Sequence, residues 1–347
     1  MLNSRMQAGT RRAGLGVAVG ILSVMATLAG QTARGDNYVP VSGTATSIFT
    51  SGTTVNVNGT NIGNYTHTEG PIYDGAGGIL FCELNSSHAN GLIWRYDIAG
   101  NSSSIVVAGS GGTQGLYYKA NGNLVTADRD ARQVSVRSLS TLSTATLVAG
   151  TFGGKQFNGP NDLVVDSTGG VYFTDPNFEG FPTNQGLDAV YYISSGGTVT
   201  RAITYGTTER PNGIILSPNQ DKLYVGLWNS NVVNIYNVSS AGTASFASSF
   251  GVAHPDGMMI DPWGNLIISR SGGVSSYNAT GTTKLWDVSV ATASTGSSNV
   301  EIAGNTLYIT AGLSVYKVGL TQVPEPTSLV ILASGLVTMM RRRRKFA

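Results

Sequence analysis

Charged residues and cysteine are both scarce in this chain. Only 12% of its 347 residues are charged and the small excess of +2 gathers at the ends, so the body offers no basic surface for a polyanion. Nucleic-acid binding therefore has no support. The single cysteine, Cys82, has no partner for an intramolecular disulfide, and its setting ILFCE predicts a small buried residue. No stretch of the body keeps a 3.6-residue apolar period, which excludes a helical bundle.

Glycine is abundant instead, with 46 residues, and it belongs to a segment that recurs six times. Each copy is a short strand, a turn built on Gly or Asn, and a second strand, preceded by an acidic or amide residue. We call these six the head residues: Glu69, Gln114, Asn161, Asn212, Asp256 and Asn299. Their numbers differ successively by 45, 47, 51, 44 and 43. Repeats of ~40–50 residues with several strands each are typical of a β-propeller.

The repeat predicts an all-β, six-bladed β-propeller over residues 65–320, in which the head residues converge on a central channel. Tyr191–Ile193, Val232–Tyr236 and Leu313–Val318 are expected to form outer strands of their blades. The preceding segment, residues 36–64, is rich in Ser, Thr, Gly and Asn. It is either a lead-in or the source of a strand that closes the ring.

Both ends of the chain carry targeting patterns. In residues 1–35, three arginines precede an apolar run and then small residues, the pattern of a secretory signal peptide. At the other end, Val323-Pro324-Glu325-Pro326 precedes an apolar stretch and five basic residues, 341–345. The apolar stretch is shorter than the ~20 residues of an ordinary membrane span, although flanking arginines can shorten that requirement. The basic cluster favours a cytoplasmic position for this end.

Residues 323–347 resemble a PEP-CTERM sorting signal, which has the same Pro-Glu-Pro motif, hydrophobic helix and terminal arginines. The resemblance implies export in a Gram-negative-type bacterium, to the cell envelope, surface or extracellular matrix. It also implies membrane insertion through the C-terminal helix before processing, and an exosortase-type protease as partner. A plain C-terminal anchor is the alternative.

Four head residues carry oxygen donors that suit a divalent cation. Glu69 and Asp256 supply carboxylates, and Asn161 and Asn212 supply amide carbonyl oxygens. Calcium accepts ~6–8 oxygen ligands in flexible geometry, whereas magnesium demands a stricter octahedron, so calcium is predicted first.

Local turns are the competing interpretation of these residues. Asn-Gly and Asp-Gly are common turn dipeptides, so Pro211-Asn212-Gly213 and Pro255-Asp256-Gly257 could simply be turns. Their recurrence at the same place in successive repeats favours the metal site.

The body resembles the gluconolactonase/regucalcin/luciferin-regenerating enzyme family over residues 65–318. The segments that carry the resemblance are Glu69-Gly70-Pro71, Phe157-Asn158-Gly159-Pro160-Asn161-Asp162, Val171-Tyr172-Phe173-Thr174-Asp175-Pro176, Arg210-Pro211-Asn212-Gly213 and Pro255-Asp256-Gly257-Met258. The resemblance implies a six-bladed propeller with a calcium ion in the channel, and hydrolysis of sugar lactones, or of organophosphates in some relatives. By motif, the metal ligands would be Glu69, Asn161, Asn212 and Asp256. Asp256 would also be the catalytic carboxylate.

Three further residues are candidates for holding substrate. Gln114 stands where the family commonly has Asn, so a longer amide reaches into the channel. Arg129, in VTADRDAR, falls where relatives often carry polar residues facing the substrate, although a solvated surface pair with Asp128 is the alternative. Asp175 would either orient substrate or cap the turn before Pro176.

His67 and His254 each lie two residues before a predicted ligand, on the same side of an extended strand. They would orient the carboxylates of Glu69 and Asp256, recruit zinc in place of calcium, or lie exposed at the channel mouth.

The sequence thus predicts an exported, calcium-dependent hydrolase of a small molecule, a sugar lactone or related ester, with Asp256 as general base or nucleophile. The rival hypothesis is a non-catalytic surface or matrix propeller that binds polysaccharide or a protein partner.

Overall fold

The structure, a computed structural model, describes residues 37–51, 54–57, 60–63, 65–86, 91–182, 185–290 and 296–323. The predicted signal peptide and all but the first residue of the predicted sorting signal lie outside the described residues. Within the described part, no helix combines the length and hydrophobicity that crossing a bilayer requires.

Five antiparallel four-stranded sheets and one five-stranded sheet form six blades, which confirms the six-bladed propeller. The segment before the first blade holds β1 (Asn37–Pro40), β2 (Thr46–Thr50), β3 (Thr54–Val57) and β4 (Thr60–Gly63). Blade 1 consists of β5 (Tyr65–Tyr73), β6 (Gly78–Asn85), β7 (Leu92–Asp97) and β8 (Ser102–Ala108). Blade 2 consists of β9 (Thr113–Tyr118), β10 (Leu124–Asp128), β11 (Gln133–Arg137) and β12 (Ala145–Ala149). A 3₁₀ turn at Leu139–Thr141 lies within blade 2, and a hairpin of β13 (Thr151–Phe152) and β14 (Lys155–Gln156) follows it.

The remaining blades repeat the same meander. Blade 3 consists of β15 (Leu163–Val165), β16 (Val171–Asp175), β17 (Ala189–Ile193) and β18 (Val199–Thr204). Blade 4 consists of β19 (Pro211–Leu216), β20 (Lys222–Leu227), β21 (Val232–Ser240) and β22 (Thr243–Gly251). Blade 5 consists of β23 (Met258–Ile260), β24 (Leu266–Arg270), β25 (Gly273–Tyr277) and β26 (Lys284–Ser289). Blade 6 takes three strands from the end of the chain: β27 (Asn299–Ala303), β28 (Thr306–Ala311) and β29 (Ser314–Val323).

The segment before blade 1 completes blade 6. Both β1 and β2 pair with β29, with Thr46 opposite Lys317 and Thr50 opposite Ser314. The ends of the propeller are therefore joined by backbone hydrogen bonds between segments more than 250 residues apart. With no disulfide available from Cys82, which is buried, this pairing supplies the closure.

The core lies between neighbouring blades. Every residue of β6, β10, β16 and β17 is buried, because other blades cover both faces of these middle strands. In the sequence β17 is therefore a continuous apolar run, whereas β6, β10 and β16 also bury polar residues such as Glu83, Asp128 and Asp175. The three segments predicted as outer strands lie instead in the third strands β17, β21 and β29. The outermost strands, such as β22, are largely exposed and rich in Ser and Thr.

Candidate functional site: a cavity ringed by the head residues

The head residues of blades 2 to 6 lie at or just before the start of the first strand, and Glu69 lies in the middle of β5. Five of them line one cavity of about 610 Å³: Glu69, Gln114, Asn161, Asn212 and Asp256. The sixth, Asn299, lines a second cavity of about 560 Å³, which is formed by later residues of the same first strands. The predicted convergence therefore holds for five of the six.

A repeated β-bulge aims the head residues. In blade 2, Gln114 and Gly115 together oppose Ala127 alone, and in blade 4, Asn212 and Gly213 oppose Gly226. The same pairing occurs in the next two examples. The backbones of residues 161 and 162 both hydrogen-bond to Thr174, and those of residues 256 and 257 both hydrogen-bond to Ser269. A bulge bends the strand and redirects a side chain, here toward the channel.

The glycine after a head residue makes room for the next blade. A Cβ atom at Gly70 would overlap the carbonyl oxygen of Gln114, and one at Gly213 would overlap that of Asp256. Each of these two glycines therefore lies where its strand contacts the backbone of the next blade. The Pro-Asn-Gly segment 211–213 opens β19, and the backbone of residues 256–257 pairs with Ser269, so neither is an isolated turn.

Two buried carboxylates share the cavity. Burial raises the pKa of Glu69 well above its usual range, and the charges of Asp256 and Asp162 raise it further. Burial and the charge of Asp162 raise the pKa of Asp256 in the same way, against hydrogen bonds from the Gly257 N–H and the Asn212 side chain. A bound cation would offset this repulsion by stabilising the ionised forms.

The donor set fits a hard divalent cation. Glu69 and Asp256 offer carboxylate oxygens, Asn161 and Asn212 offer amide oxygens, and all four line the same cavity. The Oε1 atom of Gln114 is buried there and has no hydrogen-bond partner among the described residues. An orphaned buried acceptor beside two crowded carboxylates is what an oxygen-ligated cation would satisfy. Within the described ranges, no group of three or more His, Cys, Asp or Glu has metal-binding geometry, so the amides are essential to such a site.

Both histidines line the cavity. His67 has its Nδ1 atom 2.9 Å from the Thr66 hydroxyl oxygen, and burial, with a smaller effect of Arg129, lowers its pKa to about 4. His254 has a left-handed φ of 45°, so the alternation of an extended strand does not apply to it. Its ring packs on Trp228 with centroids 4.3 Å apart.

Arg129 lies behind the cavity wall. Its side chain is 4% exposed and pairs with the carboxylate oxygens of Asp130 and Glu179, each at 2.8 Å. Arg129 is thus a buried partner and not a solvated surface residue, while Glu179 faces the cavity. Phe178, Glu179 and Trp228 are among the lining residues that the sequence analysis did not identify. No pattern in NFEG or GLWNS marks them.

Asp175 also lies outside the cavity lining. Its two carboxylate oxygens accept the backbone N–H groups of Asn158 and Gly159, at 2.9 and 2.8 Å. The contacts give Asp175 a structural role, but they hold the segment that leads to Asn161 and not the turn before Pro176.

We expect Asp175→Asn to reduce the free energy of unfolding by about 1–3 kcal/mol, because an amide offers one acceptor to two backbone donors. Burial raises the pKa of Asp175 to about 7, so the comparison belongs at pH 8, where the carboxylate is ionised. Urea unfolding measures the loss, and KM for the substrate should stay unchanged. A raised KM at unchanged stability would favour the substrate-orienting role.

Comparison with known proteins gives a consistent assignment. The profile of the SMP-30/gluconolactonase/LRE-like region matches residues 67–312, most of the described propeller. A gluconolactonase from Zymomonas mobilis subsp. mobilis is 32% identical over 182 residues, which are 47% of this chain and 50% of that protein. The alignment thus spans half the length of this relative.

Solved structures show the same fold at lower identity. A gluconolactonase from Xanthomonas campestris shares 23% identity, with a TM-score of 0.63 over 82% of this chain and 100% of its own. Regucalcin from Agrobacterium tumefaciens, a calcium-binding protein, shares 16% identity, with a TM-score of 0.59 over 75% of this chain and 92% of its own.

The C-terminus has a separate match. The profile of the PEP-CTERM protein-sorting motif covers residues 322–345, within one residue of the predicted start. This motif marks an exported protein that is targeted to the cell envelope.

Proposed function

Because this chain belongs to the SMP-30/gluconolactonase/LRE-like family, we propose that it is a lactonase-type hydrolase acting on a sugar lactone or related ester. The observation that carries the proposal is the cavity of about 610 Å³ in which Glu69 and Asp256 lie with two amides and the unpartnered Gln114 oxygen. Such convergent polar groups in one concave site are typical of an active site.

The residues that would hold a metal are Glu69, Asn161, Asn212 and Asp256, with Gln114 as an additional oxygen donor. Calcium is the ion proposed, because every one of these donors is an oxygen and the set mixes carboxylates with amides. When bound, such an ion polarises the carbonyl of the substrate and stabilises negative charge on its oxygen.

Asp256 is the group proposed to move the proton. Its Oδ1 atom accepts the N–H of Gly257 at 3.0 Å and its carboxylate also accepts from the Asn212 side chain, so its orientation is fixed. As general base it removes a proton from water as the water oxygen bonds to the acyl carbon. It then returns the proton to the ring oxygen as the acyl C–O bond breaks. As nucleophile it would instead form an acyl-enzyme that water hydrolyses.

The test of metal dependence uses the purified protein before and after treatment with a chelator. We expect chelation to reduce lactone hydrolysis to background and to lower Tm by several degrees, with calcium restoring both more fully than magnesium or zinc. Elemental analysis identifies the ion. Hydrolysis that survives complete metal removal would contradict the proposed role of the four ligands.

A non-catalytic surface propeller is the second candidate, favoured by the sorting motif at residues 322–345. It predicts that calcium raises Tm while no lactone, ester or phosphotriester is hydrolysed. Under either function, we propose removal of a signal peptide at 1–35 and processing of the C-terminus by an exosortase-type protease, after transient membrane insertion.

A further inference from the structure

Three arginines fix one wall of the cavity. We call residues 177–182, between β16 and β17, the wall loop. Arg129 pairs with Glu179 at 2.8 Å, and Arg132 donates from Nη2 to the carbonyl oxygen of Pro182 at 3.2 Å. Arg210 lies over the ring of Phe178, 5.1 Å from its centroid. Arg129 and Arg132 come from the turn between β10 and β11, and Arg210 comes from the segment before β19, so the wall loop is held from two sides.

The wall loop presents an aromatic surface to the cavity. Phe178 packs edge-on against Trp228 with centroids 6.0 Å apart, and Trp228 packs on His254 at 4.3 Å. The three residues that contact one another in this way all line the cavity. A row of three rings excludes water from whatever packs on it and favours a ligand with an apolar face.

Glu179 adds a fixed acceptor beside this surface. Its side chain is 23% exposed and one of its oxygens is held by Arg129, whose own side chain is 4% exposed. A carboxylate oriented in this way accepts strong hydrogen bonds from hydroxyl groups.

The charges of the cavity select against anions. Its described lining contains the carboxylates of Glu69, Glu179 and Asp256 and no Lys or Arg. Arg129 pairs with Glu179 and Asp130 from behind the wall, so two carboxylates offset its charge and its guanidinium does not line the cavity. A divalent ion at Glu69 and Asp256 would balance those two charges and leave Glu179 facing the substrate.

We propose that Glu179 with the aromatic row of Phe178, Trp228 and His254 forms the specificity subsite for the non-reacting part of the substrate. The subsite selects an uncharged ring with hydroxyl groups on its edge and C–H groups on its face, and it rejects phosphorylated lactones. Arg129 acts as a positioning residue for Glu179. This inference rests on the proposed lactone hydrolysis.

The experiment compares three lactones: δ-gluconolactone, δ-valerolactone, which lacks hydroxyl groups, and 6-phospho-δ-gluconolactone. For Glu179→Gln, we expect kcat/KM for δ-gluconolactone to fall about tenfold or more through KM, because a charge-assisted hydrogen bond is lost. The value for δ-valerolactone should stay within about twofold, and discrimination against the phosphorylated lactone should weaken.

Glu209→Gln is the matched control, because it makes the same chemical change at a glutamate outside the cavity lining, where the carboxylate contacts Ser230. It should leave all three values unchanged. Trp228→Leu should raise KM for δ-gluconolactone without changing kcat. If the wild type hydrolyses δ-valerolactone but Glu179→Gln leaves the ratio of the substrates unchanged, this inference alone is overturned. If the wild type hydrolyses no lactone, both the proposed function and this inference fail.

Discussion

We expect Asp256→Asn to abolish lactone hydrolysis, lowering kcat by about 10²–10⁴-fold or more, while the protein stays folded and retains part of its metal affinity. The asparagine side chain keeps an oxygen that can bind a cation and a shape that suits the hydrogen bond from Gly257. It cannot accept a proton from water or attack an acyl carbon. The measurement is kcat with saturating calcium, together with metal content and Tm of the variant.

The matched control is Asp287→Asn, in the outermost strand of the same blade. Asp287 pairs with Arg270 at 2.9 Å and with Lys284 at 2.6 Å, on the surface, so its loss should cost less than about 1 kcal/mol and no activity. Unchanged turnover by Asp256→Asn at full metal occupancy would refute the assignment of Asp256. A loss of activity matched by a loss of bound metal would make Asp256 a ligand only.

The fold could be predicted because its defining feature is local. Each repeat carries its own head residue and its own pair of apolar strands, so six copies in sequence already indicate six blades. The middle strands are recognisable because they are buried on both faces, as in β16 and β17. The outermost strands are not, since strands such as β22 face solvent and have no apolar alternation.

That the four proposed metal donors line one cavity could be predicted for the same reason, since they occupy the same place in successive repeats. The roles of residues that depend on contacts between different repeats could not be predicted. Arg129 and Glu179 are 50 positions apart, and no local pattern shows that one supports the other behind a cavity wall. The sequence therefore suggested Arg129 itself as a substrate contact, whereas the structure places Glu179 at the cavity and Arg129 behind it.

The glycines after the head residues show this limit most clearly. In the sequence, Asn212-Gly213 is an ordinary turn dipeptide, in which glycine would be needed because the turn requires a positive φ. In the structure, Gly213 is absent from the residues with positive φ, and it is required because the backbone of Asp256 passes against it. The constraint comes from the neighbouring blade, 43 positions further along, and not from the local turn.

Gly213→Ala should therefore lower the free energy of unfolding by about 3 kcal/mol, because its Cβ would overlap the Asp256 carbonyl oxygen and lie 2.9 Å from the Gly257 Cα. Both obstacles are backbone, so relief requires blades 4 and 5 to separate locally and carries Asp256 away from its position. Hydrolysis should fall with stability. Gly206→Ala is the control, since no atom lies within 4 Å of the Cβ that it adds, and it should change stability by less than about 0.5 kcal/mol. Equal urea midpoints for the two variants would show that blades 4 and 5 accommodate the added Cβ atom without loss of stability. In that case Gly213 would not be required for the close approach of Asp256 and Asn212.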